Sequence, residues 1–387
     1  IPCTWNDNNE FEVWSDQAQV HGFGTPRAMA EARPLHTLLM IQASHAAQTT
    51  FAPDERPYLV SRSGAAGMQR YVQTWSGDNY TAWETLKYNI RMGLGLAMSG
   101  VSNTGHDIGG FSGPAPSPEL LVRWVQHGIF LPRFSIHSWN DDHTVNEPWM
   151  YPAVTPQIRD LIVLRYRLMP YLYDLVWRYH TAYEPIIRPT YHDFPEDVRC
   201  LEENDDMLVG ANLLSAAVVE PGQTERRVWL PGTGGWYDWH TAQHYKAGQE
   251  VTLQAPLDGA PPLLAREGCA IPTNDGAIHF GKVEDVRGFQ IFPLVGEGAF
   301  EATCFEDDGH SRIGSAKGAG QGRWELQVNC TAQEVQITVL REGVQALAQS
   351  RVQVRVPAAD ARSVSVANAT VLEDNLQGGW SYLTVQL

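Results

Sequence analysis

Side chains able to do chemistry gather in five short clusters: Trp5-Asn6-Asp7-Asn8-Asn9-Glu10, Ser61-Arg62-Ser63-Gly64, Gln73-Thr74-Trp75-Ser76-Gly77-Asp78-Asn79, Gly105-His106-Asp107-Ile108-Gly109-Gly110-Phe111 and Arg133-Phe134-Ser135-Ile136-His137. The set is rich in carboxylates, tryptophan and histidine and poor in other reactive groups. Neither a Gly-rich phosphate loop nor a Gly-x-Ser-x-Gly elbow occurs. His240-x-x-x-His244 lies among aromatic and turn residues, a poor setting for a metal site, so neither metal nor cofactor is expected. Paired carboxylates beside tryptophans suit glycoside hydrolysis. One attacks or stabilises an oxocarbenium-like centre, and the other, kept protonated, hands a proton to the leaving oxygen. A tryptophan face lets a sugar ring stack, while Arg, Asp and His hydrogen-bond its hydroxyls. Spacing alone leaves a plainer reading open, in which an Asp after a strand is a solvated turn residue or a helix cap.

These clusters follow short apolar runs. Up to about residue 190 such runs alternate with helical stretches, the pattern of a parallel βα-repeating sheet. Tyr58-Leu59-Val60, Gly95-Leu96-Ala97-Met98 and Ile129-Phe130-Leu131 read as buried strands whose C-terminal ends carry the polar loops, as in a βα barrel. Thr81-Ala82-Trp83-Glu84 reads as a capping box, and Ser117-Pro118-Glu119 opens a helix that Gly128 stops. Thr155-Pro156 begins a long helix that Pro170 should kink. Past residue 190 strict alternation takes over, as in Arg227–Leu230, Glu250–Leu253, Trp324–Val328, Val335–Val339 and Val352–Val356, which suggests antiparallel β-sandwich modules. The stretch Ala270–Gly276 is a natural boundary between two of them.

Composition bounds the possibilities. The chain has 387 residues, 43% hydrophobic and 19% charged, enough for two or three domains with real cores. Its net charge of −16 repels phosphate backbones and anionic lipid heads, so no nucleic-acid or membrane partner is expected. No apolar run approaches the roughly 20 residues of a membrane span. Five scattered cysteines lack the close pairs of metal or redox motifs and read as small buried hydrophobes. The compartment stays open, with a lean towards the cytoplasm.

The five clusters, in this order, resemble glycoside hydrolase family 31, the retaining α-glycosidases. The nucleophile motif Trp-x-Asp-Met-Asn-Glu stands here as Trp5–Glu10, and the acid/base motif Trp-x-Gly-Asp-Asn as Trp75–Asn79. Ser61–Tyr71 resembles the family's Arg-Ser…Gly…Gln-Arg-Tyr stretch, and Gly105–Phe111 its Gly-x-Asp-Ile-x-Gly-Phe. Met207–Gly210, Trp229–Pro231, Ala255–Leu257 and Phe305–Gly309 look like landmarks of the family's two C-terminal β domains.

This resemblance implies an α/β fold: the C-terminal half of a (β/α)8 TIM barrel (residues 1–190, strands four to eight), then two all-β sandwich domains at 191–276 and 277–387. It implies Asp7 as nucleophile and Asp78 as acid/base. Arg62, Trp75, Asp107 and His137 would hold the first sugar, with Trp5 and Phe111 as aromatic walls. The implied substrate is an α-linked oligosaccharide or α-glycoside. A transglycosylase on the same fold and a non-catalytic carbohydrate-binding or scaffold fragment are the alternatives. Asn79 heads a glycosylation sequon beside the proposed acid, so it is expected to stay unmodified; Asn329 and Asn368 head two more.

Three departures stand out. Asn8 replaces Met and Phe11 replaces Pro beside the nucleophile. The family's Arg-x-His is spread to Arg133-Phe134-Ser135-Ile136-His137, so His137 carries over while Arg133 is left uncertain. Opening at Ile1 on the nucleophile strand, the chain would need the first half of the barrel in cis or from another chain. Its oligomeric state is not legible.

Overall fold

A computed structural model describes residues 3–10, 13–202, 204–275, 286–313, 320–343 and 349–387. Ile1, Phe11 and the expected boundary at 276/277 lie outside these residues. Five short strands organise the N-terminal half: β1 (Cys3–Asn6), β2 (Tyr58–Ser61), β3 (Gln73–Trp75), β4 (Thr104–Asp107) and β5 (Arg133–Ser135). They lie side by side in chain order, all parallel. Trp5 stands opposite Val60, Ser61 opposite Thr74, Trp75 opposite Gly105 and Asp107 opposite Ser135. Parallel neighbours require crossovers. Helices α1 (Met29–Phe51), α2 (Trp83–Met98) and α3 (Pro118–Gly128) supply three of them.

Two expected strands do not form. Gly95–Met98 is the last turn of α2, and Ile129–Leu131 follows α3 directly, so β4 and β5 start later, at Thr104 and Arg133. Leu86, Ile90, Leu94 and Ala97 form one buried helical stripe that a four-residue window reads as a strand. The capping box also fails. Thr81 Oγ1 donates to the Gly109 carbonyl at 3.3 Å, and α2 starts after an uncapped Ala82. Ser117 does cap α3, its Oγ accepting from Leu120 N at 3.2 Å. The long helix breaks beside Pro170 into α4 (Thr155–Arg167) and α5 (Met169–Ala182), because proline cannot supply the amide the helix interior needs.

Helix α1 did not show in the apolar pattern, because polar residues do much of its docking. Gln48 donates to Thr4 Oγ1 (2.6 Å) and the Tyr58 carbonyl (3.0 Å) and accepts from Tyr58 N (2.8 Å), fastening β1 and β2 to the helix. Across the sheet, α2, α3, α4 and α5 bury Ile90, Trp124, Ile158 and Leu172 in one core that continues into the β modules through Leu213, Leu263 and Phe292.

The alternating segments are strands. β6 (Ile187–Arg188), β7 (Asp206–Val209), β8 (Leu213–Ala216), β10 (Gly235–Asp238), β11 (His244–Lys246) and β13 (Leu263–Arg266) form one sheet in the order β11-β10-β13-β8-β7-β6. β9 (Glu225–Leu230) pairs antiparallel with β12 (Gln249–Gln254). Two further sheets follow. One runs β14 (Cys269–Thr273), β15 (Val286–Phe292), β19 (Arg351–Pro357), β22 (Trp380–Gln386), β21 (Thr370–Gln377); the other runs β16 (Gly298–Glu306), β17 (Gly322–Cys330), β18 (Glu334–Glu342), β20 (Ser363–Ala367). Phe289, Trp324, Leu326, Ile337 and Val354 fill the core they share. Among the described residues no helix is long and apolar enough to cross a membrane.

Candidate active site

All five clusters reach the same end of the parallel sheet, since each follows or ends one of its strands. Asp7 comes straight after β1, Arg62 straight after β2 and Asp78 three residues past β3. Asp107 closes β4, and His137 stands two residues past β5. The motif after β1 is pinned from below by Asn9, which is buried. Asn9 donates to Ser61 Oγ (2.8 Å), accepts from Ser63 N (3.0 Å), and its carbonyl accepts from Thr37 Oγ1 of α1 (3.1 Å). Gly77 sits at φ +80°, which turns the chain tightly before Asp78 and keeps this position beside the Arg62 stem free of a Cβ.

Arg62 is the hub. Its Nη1 lies 3.2 Å from Asp7 Oδ1 and 3.4 Å from Asp78 Oδ1, so those two oxygens stand within about 6.6 Å of each other. Nε and Nη2 grip both oxygens of Glu10 at 2.6 and 3.0 Å, the two-pronged geometry that only a guanidinium offers. Nη2 also donates to Asn8 Oδ1 at 2.5 Å, and Asn8 holds a left-handed φ of +50°. The Arg62 bond holds the Glu10 carboxyl below its usual range, and the carboxylates in turn push Arg62 up. Asp7 and Asp78 are 44% and 52% exposed, open to a ligand from the solvent side.

A second, buried layer lies beneath. Arg133, left uncertain by the sequence, donates to Asp107 Oδ1 from both terminal nitrogens at 3.1 Å and packs over Trp5 (5.2 Å) and Trp75 (5.4 Å). Asp107 is fully buried, and its Oδ2 has no hydrogen-bond partner among the described residues. Burial raises its pKa to about 6, against the opposing pull of Arg133 and His137. Trp75 is only 5% exposed, so it supports the site from within, whereas Trp5 is 44% exposed. The rings continue as one wall: Trp5 meets Trp75 edge-on at 5.0 Å, His137 lies 5.9 Å from Trp5, and Phe111 lies 5.3 Å from His137.

All eight candidates from the sequence therefore converge, but they divide. Asp7, Asp78, Trp5, Phe111 and His137 present surface, Arg62 bridges the carboxylates, and Asp107 and Trp75 lie below. Sequence reasoning assigned no role to Glu10 or Asn9 and missed the Arg133–Asp107 pair. The signal for that pair was the spacing itself, because an arginine displaced by two positions stays on the same strand face. His240 and His244 point to separate partners, the Pro261 carbonyl at 3.1 Å and Glu267 Oε2 at 2.9 Å.

Comparison with known proteins gives a consistent picture. Residues 1–175 match the description "Glycosyl hydrolases family 31 TIM-barrel domain", and residues 183–271 match "Glycosyl hydrolase family 31 C-terminal domain". Neutral alpha-glucosidase C of Homo sapiens is 35% identical over 79% of this chain and 34% of its own length. Alpha-glucosidase 2 of Bacillus thermoamyloliquefaciens is 32% identical over 80% of this chain and 40% of its own. The GH31 dextranase of Flavobacterium johnsoniae, solved with glucose, has the same fold with a TM-score of 0.80 at 23% identity, over 93% of this chain and 50% of that one. The GH31 alpha-xylosidase of Xanthomonas citri gives 0.70 at 28% identity over 84% and 36%. The chain thus spans a third to a half of these relatives.

Proposed function

This chain belongs to glycoside hydrolase family 31, and from that premise we propose that it carries the two catalytic carboxylates of a retaining α-glucosidase-like enzyme acting on α-linked oligosaccharides. Asp7 attacks the anomeric carbon as the glycosidic oxygen leaves with a proton from Asp78, forming a β-glycosyl ester. Asp78 then takes a proton from water, which opens the ester with a second inversion and so restores the α configuration.

The observation that carries this reading is the single Arg62 nitrogen shared by Asp7 and Asp78. Its geometry limits their nearest oxygens to about 6.6 Å, compatible with the roughly 5–5.5 Å of retaining pairs and at the foot of the roughly 6.5–9.5 Å inverting range. For Asp78 to hand a proton to the leaving oxygen, its 3.4 Å contact with Arg62 Nη1 has to open. The paired grip of Glu10 gives Arg62 somewhere to stay when it does.

We read the five parallel strands as strands four to eight of an eight-stranded barrel within residues 1–190, completed by polypeptide in cis or from another chain. Residues 191–276 and 277–387 are then the proximal and distal β domains. The unclosed β1 and β5 edges and the half-length match to the dextranase fold support this.

The test is mass spectrometry after incubation with 5-fluoro-α-D-glucosyl fluoride. A 5-fluoroglucosyl adduct on the peptide holding Asp7, formed with loss of the anomeric fluoride and absent in Asp7→Asn, is the expected result. Turnover with the label elsewhere would overturn the assignment.

A further inference from the structure

Above the strand ends the backbone builds a second, smaller ladder. Phe111 N and Ser112 N donate to the Asn79 carbonyl at 2.7 and 2.9 Å, and Thr81 N donates to that of Ser112 at 2.8 Å. Trp139 N donates to the Phe111 carbonyl at 2.7 Å and Asp141 N to that of Gly113 at 2.8 Å. Residues 79–81, 111–113 and 139–141, from the loops after β3, β4 and β5, are thereby tied together as a rim.

Buried asparagines lock this rim from behind. Asn140 Nδ2 donates to Asn146 Oδ1 at 2.9 Å, Asn146 Nδ2 to the Gly110 carbonyl at 3.1 Å, and Asn146 N to Ser138 Oγ at 2.7 Å. On so fixed a backbone stand two large exposed aromatics, Tyr80 at 57% and Trp139 at 66%. The Tyr80 ring lies against Gly113, where a Cβ would meet three ring atoms at 2.6–2.9 Å, so the ring is seated on backbone while much of the residue stays exposed. Trp139 meets His143 edge-on at 6.4 Å.

Exposed aromatics on a pinned backbone are preorganised to bind a flat apolar surface, because little conformational entropy remains to be lost. The apolar face of a sugar ring is such a surface. Tyr80 follows Asp78 by two residues, and Trp139 is bonded through its amide to Phe111 of the aromatic wall, so the rim continues the site directly. We propose that Tyr80 and Trp139 form a platform for the leaving-group sugars of an α-linked gluco-oligosaccharide. Which side is the leaving-group side rests on the role of Asp78 proposed above.

The test is calorimetric titration of the whole chain with methyl α-glucoside, maltotriose and isomaltotriose. At least one trisaccharide should bind about tenfold tighter than the monosaccharide. Tyr80→Ala and Trp139→Ala should each remove most of that gain and leave methyl α-glucoside affinity unchanged, while Tyr80→Phe keeps it. If an alanine variant does not fold, quenching of Trp139 emission by trisaccharide, assigned by its loss in Trp139→Phe, decides instead. Unchanged trisaccharide affinity, equal loss for both sugar sizes, or no saccharide binding at all would overturn the proposal. So would a change in oligomeric state on Trp139→Ala without a change in sugar affinity, which would mark a protein contact. Failure to label Asp7 while the platform holds would count against the catalytic assignment alone.

Discussion

Two carboxylates at one end of the sheet respond to pH in opposite senses. Glu10 is held below its ordinary 4.5 by the Arg62 bond, so its stabilising contribution is complete above that pH and is lost as pH falls through the lowered value. Asp107 is raised from 3.8 to about 6 by burial, so the folded state holds its proton more tightly. Its contribution is complete below 3.8 and declines as pH rises to about 6, by at most about 3 kcal/mol. Melting temperature measured against pH should separate them. The gap between wild type and Glu10→Gln shrinks on acidification below 4.5, and Asp107→Asn removes a fall in stability between about pH 4 and 6. A fall that persists in Asp107→Asn would mean that other groups cause it. The candidate carboxylates were legible in the sequence as residue types within motifs. Their partners were not, since Arg62 and Glu10 are far apart in the chain and meet only when β1 and β2 pair.

At the scale of elements, close approach of β4 to β5 sets the buried layer. Gly105 stands opposite Arg133, and a Cβ on it would lie 2.1 Å from the Arg133 carbonyl oxygen. Gly105→Ala must therefore push the two strands apart, at a cost of about 3 kcal/mol, the upper end for overpacking. It should also loosen Arg133 from Asp107. Chemical denaturation measures the first effect, and flattening of the Asp107-dependent pH response reports the second; a variant as stable as wild type would show that the strands are not so tightly spaced. Element types were partly legible. Ser117-Pro118 and Pro170 acted as local signals and worked, because capping and a missing amide are decided within one turn. Gly95–Met98 and α1 were misread or unseen, because in both cases tertiary packing chose which side chains to bury.

Across the whole molecule the segment after β16 fastens the C-terminal sheets to the parallel-sheet half. Asp307, nearly buried, pairs with Arg56, accepts from Tyr173 of α5 at 2.6 Å and from Gly309 N at 2.8 Å. Trp177 stacks on Phe305 at 3.8 Å, and the 310–312 backbone bonds to Asp54 and Arg56. Asp307→Ala leaves Arg56 and Tyr173 without their shared partner and should cost about 3 kcal/mol. Hydrogen exchange should then show segments 54–57 and 307–312 losing protection together; loss in one alone would argue against coupling. By itself the sequence determined the inventory of the site and the change from βα repeats to alternating strands, because motif spacing and hydrophobic period are local properties of the chain. Only the tertiary structure decided that Asp7 and Asp78 share one guanidinium, that Arg133 lies beneath them on Asp107, and that Tyr80 rests on Gly113. Each of those contacts joins different strands or the loops that follow them, and only the packed parallel sheet brings them within reach.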